Sequence, residues 1–175
     1  ELALTWPVVL AVLCGAALHA GWNALVKSSG DKPLDTALVH LLGALVALPL
    51  LLIVGLPGPA GLPYIAASLV IHIGYYIALA GAYQHGDLGL TYPIMRGFAP
   101  LLVALGSGSL LGEAPSPAAW AGVIGITTGV ALVGLARTGD ALMHPQKHRK
   151  ALMFAFANAG IIAAYTVVDG LGVRA

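Results

Sequence analysis

Residues Tyr83–Glu113 read YQHGDLGLTYPIMRGFAPLLVALGSGSLLGE. The segment sets Asp87, Arg96 and Glu113 beside an apolar run long enough to cross a bilayer. These three are the only charged residues between Thr36 and Ala136. A water-soluble domain carries charge at about a quarter of its positions, so a stretch this long and this poor in charge needs a different solvent. That solvent is lipid. Arg96 lies deepest in its apolar segment, where an ionisable group is costly and marks a functional hypothesis.

The rest of the composition agrees. The chain has 175 residues, 59% hydrophobic and 9% charged, with a mean hydropathy of +0.91. Those values exclude an ordinary soluble domain and a disordered one. A net charge of +1 argues against a nucleic-acid partner, which needs a clustered basic face. The one cysteine, Cys14, sits inside an apolar run and reads as a small core hydrophobe. A disulfide framework is therefore out of reach, as is a cysteine metal cluster.

Working outward, six apolar runs appear: 4–26, 34–55, 62–84, 91–111, 117–136 and 151–168. Each is close to the ~20 residues that span ~30 Å of hydrocarbon as a helix. Without water to satisfy backbone groups, helix is the expected state for all six. The first run is too long for a signal peptide and has no basic region before it. The breaks carry turn chemistry, with Pro33 suited to a first helical turn and Ser116 to an N-cap. Loops this short make sequential helices antiparallel neighbours. The exception is RTGDALMHPQKHRK, residues 137–150, a polar linker between the first five helices and the sixth.

Lys and Arg distribution sets orientation. Loops one, three and five share a side and hold Lys27, Lys32, Arg137, Lys147, Arg149 and Lys150, while loops two and four hold none. This bias puts the linker in the cytoplasm and Glu1 outside. Gly122, Gly125 and Gly129 in the fifth helix, and Gly108 and Gly112 in the fourth, have the small-residue spacing of close helix packing.

Three helices carry polar and aromatic stripes at helical spacing. They are His19, Trp22, Asn23 and Val26 in the first, His72, Tyr75, Tyr76, Leu79 and Tyr83 in the third, and Asn158, Ile162, Tyr165 and Asp169 in the sixth. Such groups are better satisfied around a shared wet interior than against lipid. Tyr64, Tyr83, Trp6 and Trp120 lie near helix ends and also suit an interfacial belt. His40 and His72 fit neutral rings hydrogen-bonded across helices. Arg96 follows Tyr92-Pro93, with Pro100 further along; prolines break membrane helices where these line cavities. Its fork of donors suits Asp87, Asp169 or a substrate carboxylate. No motif for a metal, a cofactor or a phosphate loop is present, and Ser107 and Ser109 have no base nearby for hydrolase chemistry.

A shift of 143 positions lays Ala16–Asn23 on Ala159–Thr166, with Trp22 meeting Tyr165. Five helices, a linker and a helix resembling the first fit a repeat with an odd helix count, whose second copy inserts upside down. The run AGAYQHGDLGLTYPIMRG (Ala80–Gly97), with Pro100-Leu101-Leu102, Leu111-Gly112-Glu113 and Trp120-Ala121-Gly122, resembles the EamA-type group of the drug/metabolite transporter (DMT) superfamily. His19–Asn23 with Lys27, and Ala164-Tyr165-Thr166 before Asp169-Gly170, are similar to its first and sixth helices. The resemblance implies a ten-helix carrier of two inverted five-helix repeats that moves small metabolites or amino-acid-like solutes, often outward, by alternating access. It also implies a cell membrane location, that of the bacterial inner membrane. It puts the N-terminus inside, against the Lys/Arg bias.

The expected fold is thus an all-α, multi-pass membrane bundle. Residues 1–136 form one five-helix repeat, 137–150 a basic linker, and 151–175 the first helix of a second, inverted repeat in a fragment of a ten-helix transporter. The expected substrate site is His19, Trp22, Asn23, Tyr75, Tyr76, Tyr92, Arg96 and Tyr165. Expected partners are the bilayer, a small-molecule solute and the rest of the chain. The histidines and Asp169 permit a coupling proton without requiring it, and a homodimer stays open. An intramembrane enzyme acting on a lipid, using Asp87, Arg96 or Asp169, is the alternative from another class. A membrane assembly protein without a polar cavity is the third reading.

Overall fold

The computed structural model describes residues 5–28, 32–110, 112, 114–136 and 143–175, with side chains at all but 22–28, 32, 33, 36, 88 and 135. Among the described residues the chain forms α1 (Trp6–Ser28), α2 (Lys32–Val54), α3 (Leu62–His85), α4 (Leu88–Leu110), α5 (Pro117–Ala136) and α6 (Pro145–Gly172), with no strand. Five stretches are long and apolar enough to cross a membrane: Ala37–Val54, Leu62–His85, Gly89–Leu110, Pro117–Gly134 and Pro145–Gly172. The sixth expected span, in α1, is described as apolar over the shorter stretch Trp6–Gly21.

Two boundaries moved from the sequence reading. α4 begins at Leu88 because Asp87 caps it. The Asp87 Oδ1 accepts the Gly89 N–H at 2.7 Å, and its carbonyl accepts from the Thr91 N–H at 2.9 Å and the Thr91 hydroxyl at 2.9 Å, satisfying donors a helix start leaves free. Asp87 is therefore a cap and more than a turn residue. α6 begins at Pro145, in its first turn, so part of the expected linker is helix. Ser116 does cap α5, accepting from the Ala119 N–H at 3.2 Å. α4 runs unbroken through Pro93 and Pro100, which corrects the expectation of a broken helix there.

The chain divides into two compact units, Glu1–Leu56 and Pro57–Ala175. The first holds α1 and α2. α2 ends on Gly55, whose φ of +98° suits the left-handed residue after a helix; its N–H reaches the Leu51 carbonyl at 2.8 Å. Cys14 is exposed and is not the core residue expected.

In the second unit α6 lies along both α3 and α4, which touch each other little despite the two-residue turn between them. The expected antiparallel pairing of sequential helices holds for α4 and α5 and fails for α3 and α4. α6 runs antiparallel to α3: the Gly86 backbone at the end of α3 meets Ala151, and Gly172 meets Tyr64 near its start. The reason is a face of small residues. Ala151, Ala155 and Ala159 are fully buried, with Ala163 nearly so, and small faces let helix backbones approach where no hydrophobic force separates helix from lipid. Around them Ala82, Leu90, Ile94, Met95, Ala99 and Ile162 form one cluster.

Glycines serve the same packing, but not the expected ones. Gly81 lies under the Phe154 ring and Gly97 under Val130. Gly108, Gly122, Gly125 and Gly129 have no described atom within 4 Å of the position a Cβ would take.

Candidate functional site

Three helices of the second unit bring their polar and aromatic side chains together beside the buried cluster. The α3 face supplies His72, Tyr75, Tyr76 and Tyr83, α4 supplies Tyr92 and Arg96, and α6 supplies Tyr165. Tyr165 stacks on His72 with ring centroids 4.4 Å apart and a 29° tilt. It meets Tyr75 edge-on at 6.2 Å, and Tyr75 meets Tyr76 edge-on at 5.2 Å. Edge-to-face contacts of this kind fix ring directions because a ring's edge is positive and its face negative.

Arg96 lies on the Tyr92 ring, 5.7 Å from its centroid, one helical turn further along α4. A cation over a ring is held by the ring's negative face. The guanidinium is also within electrostatic range of Tyr75 and Tyr165. Tyr83 is within range of Tyr75, Tyr92 and Arg96. Among the described residues the groups that act on Arg96 are thus tyrosines from three helices, and the expected Asp87 and Asp169 are not among them. Asp169 lines a cavity of about 360 Å³ with Ser68 and with His72 and Tyr76 of the cluster, and Asp87 caps α4.

Five of the expected site residues therefore converge: Tyr75, Tyr76, Tyr92, Arg96 and Tyr165. His19 is in α1, in the other unit. Trp22 and Asn23 have side chains outside the described residues. Tyr92 and Tyr76 keep 37% and 49% of their surface exposed, so the described residues leave the α3 and α4 sides of the cluster partly uncovered.

Two stripe residues do something else. Asn158 is fully buried and donates its Nδ2 hydrogen to the Tyr75 carbonyl at 2.9 Å. It clamps α6 to α3 and does not face a cavity. His72 donates Nδ1–H to the Ser68 carbonyl of its own helix at 2.8 Å and crosses to α6 through its ring face, not through the expected hydrogen bond. Tyr83, near the end of α3, is within electrostatic range of Tyr75, Tyr92 and Arg96 and keeps 38% of its surface exposed. Among the described residues no group of three or more His, Cys, Asp or Glu could hold a metal.

A scan against protein-family models, a search of curated proteins and a search of solved structures each found no match to the chain.

Proposed function

We propose that the chain belongs to an alternating-access transporter for small metabolites or amino-acid-like solutes, with Arg96 as the electrostatic partner of an anionic group on the solute. The observation that carries this reading is Arg96 itself. A permanent cation inside a membrane-length helix lies over the Tyr92 ring, with Tyr75 and Tyr165 of the neighbouring helices within electrostatic range. Tyrosines lend ring faces and hydroxyls but no formal countercharge, so the fork of guanidinium donors retains its preference for a carboxylate or phosphate. The rings would supply shape and stacking surface. The EamA-type resemblance supports the same reading, with efflux as the direction and further helices completing the cavity.

The test is transport by the full-length protein in proteoliposomes, screened against labelled amino acids and organic acids. Arg96→Ala should lower transport of an anionic or zwitterionic solute by about 10–100-fold at unchanged protein level, the scale of a lost charged hydrogen bond. Arg96→Lys should restore part of it. Transport by Arg96→Ala at the parent rate would make Arg96 a snorkelling anchor.

One observation favours a second reading, a membrane assembly protein. Gly122, Gly125 and Gly129 form an α5 face that meets no described atom, and such faces dock helices. That reading requires transport to be absent and a partner helix to crosslink to α5.

A further inference from the structure

The ends of α3, α4 and α6 that meet around Gly86 carry a second cluster, distinct from the tyrosines. A cavity of about 370 Å³ is lined there by His85, Asp87, Leu90, His144, Lys147 and His148. Another, of about 500 Å³, shares His85, His144 and Lys147 with it and adds Gln146 and Lys150. Both are within the ~300–1,000 Å³ range of small-molecule sites. His85, His144 and Lys147 thus line both cavities, while His148 borders the first and Lys150 the second. The sequence gives no hint of this, since His85 and Lys147 are far apart along the chain.

The cluster is built rather than incidental. His85 donates Nδ1–H to the Gly81 carbonyl at 2.8 Å, and its ring stacks on Phe154 at 5.6 Å and 16°. With Nδ1–H committed to the backbone, the neutral ring has an acceptor at Nε2 and no second donor, so the donors of the cavity are those of the lysines and the other imidazoles. Asp87, the one acid among the described lining residues, has Oδ1 engaged by the Gly89 N–H. The three histidines are not placed to hold a metal. What the walls offer is positive charge and N–H donors, the complement of a tetrahedral oxyanion.

Position supplies the source of that anion. The cavity opens where three membrane-length helices end, Leu62–His85 at its last residue, Gly89–Leu110 and Pro145–Gly172 at their first. Basic pockets between spans at such ends are where anionic headgroups are held, and lysine stems reach that depth while their ammonium groups remain wet.

The geometry points to a binding site for a phosphate group, held by Lys147 and Lys150 with His85, His144 and His148 around it, and supplied by an anionic phospholipid. The purified full chain, in nanodiscs of phosphatidylcholine with or without phosphatidylglycerol, is the material for the test. Lipid retained after transfer to neutral detergent is counted by native mass spectrometry. The wild type should retain phosphatidylglycerol in preference to phosphatidylcholine. Lys147→Gln with Lys150→Gln should weaken retention about fivefold per lysine, with helix content by circular dichroism unchanged. Arg149→Gln, on the same turn but outside both linings, should leave retention as it was.

Should the double variant misfold, His144→Ala takes its place and is expected to weaken retention in the same direction. Inorganic phosphate titrated into the detergent-solubilised protein, against potassium chloride at equal ionic strength, separates the sources. Displacement by phosphate, with no preference between the two lipids, assigns the same site to a soluble phosphate. Equal retention of the two lipids with no phosphate effect overturns the proposal. An Arg149→Gln loss as large as that of the double variant also overturns it, since the charge would then be diffuse.

Discussion

The amide of Asn158 donates to the main-chain carbonyl of Tyr75 at 2.9 Å, while its own Oδ1 is buried with no hydrogen-bond partner among the described residues. One half of the side chain is satisfied and the other half is not. A polar residue thus joins α6 to α3 at the level of the aromatic cluster, at a cost that offsets the gain. Bonds between membrane helices average about 0.6 kcal/mol, and an unsatisfied buried acceptor costs about 1–3 kcal/mol.

It follows that Asn158→Val, somewhat larger and without polar atoms, should destabilise by no more than the ~1–3 kcal/mol of overpacking, because the orphaned acceptor is removed with the donor. Asn158→Asp, which places a charge in the same site, should uncouple α6 from α3. Thermal melting in detergent, followed by helix signal and by crosslinking between the two helices, reads both.

Gly81 and Gly125 should respond in opposite ways to the same change. A Cβ at Gly81 would sit 2.5–2.7 Å from the Phe154 ring, on which the His85 ring stacks. Gly81→Ala should therefore cost about 1–3 kcal/mol. At Gly125 nothing lies within 4 Å, and Gly125→Ala should be neutral or slightly stabilising in a detergent melt. A neutral Gly81→Ala would mean that α3 and α6 are packed less closely than described.

Tyr165 joins His72 and Tyr75 through its ring. Tyr165→Phe preserves that surface and should change stability by no more than about 0.5 kcal/mol. Tyr165→Ala should cost about 2 kcal/mol. If the hydroxyl serves a solute, Tyr165→Phe should still lower transport, which separates its role in packing from one in recognition.

Cysteine labelling tests water access at the cluster. In a Cys14→Ala background, needed because Cys14 is a free and exposed thiol, cysteines at positions 76 and 92 should react with a membrane-impermeant maleimide. Protection at both positions would count against a wet site there.

Asp87 links two parts of the molecule. It caps α4 and lines the basic cavity. Asp87→Asn retains a capping side chain of equal rank while removing the one acid described in that lining, so phosphatidylglycerol retention should rise with stability held. Asp87→Ala should also raise retention, but at a cost of about 1 kcal/mol in stability.

The helices were legible because bilayer thickness imposes a length that composition alone reveals. α4 and α6 began earlier than read, since Asp87 and Pro145 are polar or rigid residues that hydropathy assigns to loops and helix chemistry assigns to starts. Glycine spacing drew attention to Gly125 and Gly129, whereas the glycines in tight contact are Gly81 and Gly97. Spacing reports which residues share a face, not which face meets a neighbour. In the site, the α3 and α6 stripes name Tyr75 and Tyr165, whose rings meet edge-on. Asn158 could not be read the same way, because its partner is a backbone carbonyl that leaves no mark in a side-chain pattern. The meeting of His85 with Lys147 needed α6 to lie beside α3, a relation absent from chain order.

That relation also has a history in biosynthesis. A ribosome delivers α3 and α4 well before α6, so the small, close-fitting faces around Gly81, Ala82 and Ile94 enter the bilayer with their eventual neighbour still unmade. Until α6 arrives, its place beside α3 and α4 is left to lipid tails or to an insertase, so the close packing of this unit is completed only after its earlier helices are in the membrane.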